Sequence, residues 1–205
     1  EYSGEMYRLT RQIIEKACQL IAILHRENFY IQVNVNLSSK DVLEHDLIEF
    51  IEQVAEKHHT ALRYLVIELD ETLLFKAADK TKLIIDQLKS IGVQVAINNF
   101  SGSYEALKYL RRLAIDQVKV DCSQLVGASH AGQSEKTIIS ALINLIRKMK
   151  IPLVASGINN SEIKNTYVDI GGDIGQGNLI TNGIKLEEAK TWAAQWLKEH
   201  VGGND

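Results

Sequence analysis

The sequence is poor in residues that break or staple a chain. Among 205 residues there is 1 proline, Pro152, and there are 2 cysteines, Cys18 and Cys122. Two cysteines without a C-x-x-C spacing build neither a disulfide framework nor a zinc site, so a reducing, cytoplasmic setting is expected. No Ser/Gly/Pro-rich stretch divides the chain, and residues 1–205 read as a single domain. No apolar run approaches the roughly 18 residues of a membrane-spanning helix. Charge of one sign is lacking too: 23 Lys+Arg face 26 Asp+Glu, a net −3. That balance leaves no general electrostatic footprint for DNA or RNA. The start, Glu1-Tyr2-Ser3-Gly4, carries no signal-peptide pattern and no initiator Met, as an internal fragment would.

What is present is alternation. Hydrophobic residues make up 45% of the chain, enough for a sizeable core. They fall into amphipathic stretches of period 3.6 and short β-branched runs. Ile13, Ile14, Ala17, Leu20, Ile21 and Leu24 predict a helix, and residues 31–37 a strand. Residues 45–57 predict a helix, 65–69 a strand, 78–91 a helix and 93–98 a strand. A short helix through Leu107, Leu110 and Leu113 precedes a strand at 118–121. A strong helix through Ile138 to Met149 precedes a strand at 153–156. A weak helix at 160–167, a sixth strand at 177–181 and a closing helix through Ala189, Trp192, Ala193 and Trp196 complete the pattern. Strands separated by helices pair in parallel, in an open doubly wound sheet or a (β/α) barrel. Gly171 to Gly177 is glycine-rich but precedes a strand rather than a helix, so it reads as a tight turn and not as a dinucleotide-binding loop.

A barrel builds its functional face at the C-terminal strand ends. Asn36, Glu68, Asn98 with Asn99, Lys119 with Asp121, and Ser156 stand at consecutive strand ends, whereas Gln176 would open the sixth strand. Such polar residues also suit turns, but five in succession point to one lined site. Other chemistry is weakly marked. His25, His45, His58, His59, His130 and His200 show no metal-ligand spacing, and the adjacent His58 and His59 diverge onto the surface. Cys122 reads as a plain buried thiol, and Trp192 with Trp196 as core packing or a partner surface. Lys119 as a Schiff-base lysine of an unrelated (β/α) enzyme is a further reading.

Taken in order, Val35-Asn36-Leu37-Ser38, Glu68-Leu69-Asp70-Glu71, Asn98 to Tyr104, Lys119-Val120-Asp121, Val154-Ala155-Ser156-Gly157 and Gln176-Gly177 resemble the EAL domain, a family that hydrolyses or binds the bacterial messenger cyclic di-GMP. Leu110 to Leu113, Ile115 to Lys119 and Glu1 to Gly4 also match family segments. The resemblance implies a TIM-like (β/α) barrel lacking its first two strands here, since the E-A-L segment would precede Glu1. It implies Asn36 and Glu68 as metal ligands, Glu71 as support for the loop after the third strand, Lys119 as the residue that positions the nucleophilic water, and Gln176 as part of the Q-G-Y segment. The family works with Mg²⁺ or Mn²⁺. Here its aspartate pair is Asn98-Asn99, its A-E-G glutamate is Ser156, a later glutamate is Asn159, and two loop glycines are Ser101 and Ser103. Amides bring no charge to hold two divalent ions. The expectation is a degenerate domain without a working metal site, binding cyclic di-GMP as a receptor through Asn36, Glu68, Asn98, Asn99, Lys119, Asp121, Ser156 and Gln176. The alternative is a nucleotide-free protein-interaction module; an active phosphodiesterase is the third reading. Upstream diguanylate-cyclase-like (GGDEF) or sensory domains and a homodimer through Ser101–Arg112 are further expectations. So is a cytoplasmic site, if need be as part of a membrane-bound signalling protein.

Overall fold

The computed structural model describes residues 2–38, 40–43, 46–125 and 130–200. Its elements are α1 (Tyr2–Arg26), β1 (Val33–Leu37), α2 (Leu47–His58), β2 (Leu65–Asp70), α3 (Leu73–Lys76), α4 (Ala78–Ser90), β3 (Gln94–Asn98), α5 (Tyr104–Leu110), β4 (Gln117–Asp121), α6 (His130–Lys148), β5 (Leu153–Ser156), α7 (Ser161–Asp169), β6 (Ile174–Gly175) and α8 (Leu186–His200). The strands form one parallel sheet in chain order, β1 to β6. It curls into a half-barrel. The curl is visible in side chains: Gln117 on β4 donates to Gln32, just before β1, at 2.6 Å. In a flat sheet those strands would stand about 14 Å apart.

Period 2 splits each strand between two faces. Val35, Leu37, Leu65, Ile67, Leu69, Val95, Ile97, Val118, Val120 and Ala155 point outward into the hydrophobic core. Ile14, Ala17, Cys18 and Ile21 of α1, Ile51 and Val54 of α2, and Ile84, Ile85 and Leu88 of α4 meet them there. Their three- and four-residue spacing is what makes each helix a one-sided cover. The alternate residues face the hollow of the half-barrel. Asn34, Asn36, Gln94, Asn98, Gln117, Asp121, Val154 and Ser156 are exposed or partly exposed there, while Glu68 and Lys119 are buried.

The five longer strands and all helices expected from the sequence are present within a few residues. The sixth strand is not at 177–181. It is Ile174–Gly175, paired with Val154 and Ala155. After it the chain turns at once, with Ile180 N donating to Gly177 O at 3.0 Å. Gly177 lies so close to Ile158 that an added Cβ would sit 2.3 Å from its carbonyl oxygen. Only the start of the glycine segment, Gly171 to Asp173, is the expected helix-to-strand turn, with Gly171 at φ +92° after α7; Ile174–Gly175 within it are β6 itself. Trp192 and Trp196 are half-buried and stack on each other, with ring centroids 5.6 Å apart, so they sit at the core's rim rather than inside it. His59 is exposed, whereas His58 is half-buried, 3.4 Å from Glu15. His25 is half-buried against the Tyr30 and Tyr64 rings. His45 lies outside the described residues. No helix of the described residues is long and apolar enough to cross a membrane.

Candidate functional site

The C-terminal strand ends bring five of the expected residues into one trough. At its floor Lys119 Nζ donates to Glu68 Oε1 at 2.7 Å and to Gln176 Oε1 at 2.7 Å. β2, β4 and the end of β6 thus meet on one ammonium. Gln176 follows β6 instead of opening it, which explains how it reaches this face. Glu68 is 2% exposed and Lys119 4% exposed, so both charges are out of water and each depends on the other. Asn34 also donates to Glu68 Oε1, at 2.8 Å. Glu68 Oε2 is buried and has no hydrogen-bond partner. Beside the pair, Asn98 donates to Asn36 Oδ1 at 3.2 Å, across the register that places Asn36 opposite Glu68.

Three expected residues stay out of this cluster. Asn99 sits at φ +55°, a left-handed conformation that asparagine and aspartate tolerate better than most. It turns its amide to Asp70 Oδ2 at 3.0 Å. Partial burial pushes the Asp70 carboxyl up, but hydrogen bonds from Thr72 and Asn99 outweigh it and hold the group below its ordinary value. Asp121 is exposed and accepts from the Ser123 backbone at 2.9 Å. Ser156, opposite Asp121 across the β4–β5 register, donates to the Val120 carbonyl at 3.3 Å. Gly157 follows at φ +78°, where a Cβ would come within 2.9 Å of Asp121 Oδ1.

Glu71 steadies the loop after β3. Its backbone donates to the Asn98 carbonyl at 3.1 Å, and its carboxylate accepts from Ser101 N at 2.9 Å and Ser101 Oγ at 3.0 Å. The serine hydroxyl adds a bond that a glycine there cannot make. Burial, with the Asp121 and Glu135 carboxylates near, pushes the Cys122 thiol up to about 12, which disfavours a nucleophilic thiolate. Lys119 meets a carboxylate rather than the apolar wall that frees an amine for Schiff-base chemistry. Among the described residues no group of three or more His, Cys, Asp or Glu is arranged to hold a metal ion.

The sequence reading missed Asn34 and the amide belt beneath it. Gln32 donates to Gln94 at 2.8 Å, and Gln94 to the Arg63 carbonyl at 3.0 Å. Asn34 stands two residues before Asn36, so strand periodicity alone puts both on one face. That was the available signal.

A parallel β/α half-barrel whose polar residues gather at the C-terminal strand ends defines the class: a TIM-like α/β domain with a candidate site at the mouth. The EAL domain profile matches residues 1–182, and the chain belongs to that family. The signaling protein YkoW of Bacillus subtilis is 24% identical over 188 residues, 92% of this chain and 23% of that protein. The cyclic di-GMP phosphodiesterase NbdA of Pseudomonas aeruginosa is 28% identical over 163 residues, 79% of this chain and 21% of that protein. The chain thus spans about a quarter of the length of curated relatives it matches. The solved PaMucR phosphodiesterase–c-di-GMP complex shares the fold, with a TM-score of 0.84 at 23% identity over 92% of this chain and 76% of that one.

Proposed function

We propose that this chain is a non-hydrolytic EAL domain that binds cyclic di-GMP as the receptor and output module of a bacterial signalling protein. Among the described residues, the lack of further carboxylates around Glu68 carries the reading. Hydrolysis with two divalent ions needs several carboxylates to offset the ions' mutual repulsion and lost water. Here the buried carboxylate at the trough floor is already matched by a lysine. Asn36, Asn98 and Asn99 contribute neutral amides, and Ser156 a hydroxyl. One anionic donor with one orphaned oxygen, Glu68 Oε2, does not fit two metal ions. The open amides of the trough, Asn36 and Asn98, suit a nucleotide, because amides pair with base edges. That PaMucR was solved with c-di-GMP on this fold supports the ligand class.

The test is calorimetry with cyclic di-GMP in EDTA, run beside a hydrolysis assay in Mg²⁺ and Mn²⁺. Saturable heat without linear product is expected. Linear product that Glu68→Ala abolishes would overturn the non-hydrolytic reading. Absence of heat and of any thermal shift would overturn the receptor reading.

One observation favours an interaction module as the second reading. A groove of about 420 Å³ on α5 is lined by Tyr104, Leu107, Lys108, Arg111 and Arg112, and Tyr104 is 79% exposed. This is the segment expected to dimerise. In our reading residues 1–205 act as one cytoplasmic unit, regulated by GGDEF-like or sensory domains that precede it. Cross-linking through Tyr104→Cys tests the homodimer.

A further inference from the structure

Two helix faces of the half-barrel carry opposite, unpaired charge. On α5, Tyr104, Leu107, Lys108 and Arg111 are spaced as one helical face and, with Arg112, line the groove of about 420 Å³. Lys108, Arg111 and Arg112 are exposed and enter none of the ion pairs among the described residues. Glu105, the carboxylate of α5, lies off that face by helical spacing. On α2 the exposed face is Glu49, Glu52 and Glu56, with Gln53 among them. Glu49 accepts from Gln53 at 3.0 Å, and Glu52 and Glu56 enter no ion pair among the described residues. The helix between them in the chain, α4, pairs its own charges instead, Lys82 with Asp86. α2 belongs to the β1–β2 crossover and α5 to the β3–β4 crossover, and no ion pair of the described residues joins the two within one molecule.

We infer that the α5 groove docks the α2 ridge of a second copy of this chain, head to tail, with Lys108, Arg111 and Arg112 set against Glu49, Glu52 and Glu56 of that copy. This rests on the interaction-module reading and names its occupant. A helix laid in a groove is an ordinary mode of recognition, and Tyr104 and Leu107 supply the groove's apolar lining. A two-fold contact of α5 on itself would press three cations against three cations, which like-charge repulsion disfavours. Because the two docking faces differ, each pair of copies keeps one face of each kind open, so association runs on into a chain or closes into a ring.

The experiment is sedimentation velocity over a range of protein concentrations, without nucleotide. It compares the parent chain, an α5-reversed variant (Lys108→Glu/Arg111→Glu/Arg112→Glu) and an α2-reversed variant (Glu49→Lys/Glu52→Lys/Glu56→Lys). The parent is expected to associate at about 0.01 M salt, where charges act over about 30 Å, and to dissociate at about 1 M, where they act over about 3 Å. Each reversed variant alone should lose the association, and an equal mixture of the two should regain it, because opposite charges then meet at both contacts. A parent that stays monomeric at low salt would overturn the inference, as would a reversed variant that associates like the parent or a mixture that does not associate. Where a reversed variant fails to fold, milder variants decide. Tyr104→Cys mixed with Gln53→Cys should cross-link one variant to the other, the native Cys18 and Cys122 being buried. No cross-link, or Tyr104→Cys joined only to itself, overturns the inference; the second result keeps the interaction module and removes only this occupant. Because nucleotide is absent throughout, failure here is also distinct from failure to bind cyclic di-GMP.

Discussion

The two faces of the sheet obey different rules. On the outer face Ile67, Leu69, Val95, Ile97 and Val118 are fully buried under helices. On the inner face glutamines and asparagines hold one another across the hollow, and much of their surface is open. Ordinary barrels fill the interior with branched apolar side chains. Here the apolar core lies outside and the polar side chains inside. Among the polar residues of the inner face the exception is the Glu68–Lys119 pair, as buried as the core.

The comparison breaks first at that exception. Glu68→Gln or Lys119→Met alone should cost about 3–5 kcal/mol, because each leaves a buried charge without its partner, while the double variant should recover most of the loss. Urea unfolding of the cycle measures it; simple additivity would mean the pair is not coupled. Next comes the outer face. Ile97→Ala is expected to lose about 2–5 kcal/mol by the same unfolding measurement.

A smaller effect concerns acid. Asp70 is held below its ordinary value by Thr72 and Asn99 against the upward push of burial. A depressed folded-state value means the stabilisation is complete above the unfolded-state value, about 3.9, and is lost as pH falls through the folded one. Asn99→Ala should therefore flatten the loss of stability between pH 5 and 2 (about one unit either side of the Asp70 window), read from urea midpoints across pH. An unchanged slope would show that the Asn99 bond contributes nothing. The smallest effect belongs to the amide belt: Gln117→Ala should stay within about 0.5 kcal/mol of the parent, as surface changes do. A loss on the scale of Ile97→Ala would erase the distinction between the faces.

Much of the fold was legible because the signals were local. β-branched runs such as Val93 to Ile97 and helix faces such as Ile84 and Leu88 state their own period. β6 was not legible. Asp173-Ile174-Gly175 has little strand propensity and is a strand only because β5 offers it a ladder, whereas Leu179 and Ile180 look strand-like but are bent away by the Gly177–Ile158 contact. The short α3 escaped for the same reason: one turn has no period to read. In the site, Asn36, Glu68, Asn98 and Lys119 were read together because strand ends mark the mouth of a barrel, whereas Gln176 was expected to open the sixth strand and entered through the resemblance. Which polar group faces which was not legible. Asn99 turns to Asp70 because its backbone is left-handed, and Ser101 clamps Glu71 because the loop folds back; neither is a property of spacing.

The strand order carries a consequence for how the molecule is made. Every sheet partner is the next strand in the chain. No pairing skips over an intervening strand, so the sheet can grow one β/α unit at a time behind the ribosome. Lys119 reaches across that order on both sides, to partners 51 and 57 residues away. The trough therefore closes only when Gln176 has been synthesised. A nascent chain halted before that residue would own most of its core and none of its finished site.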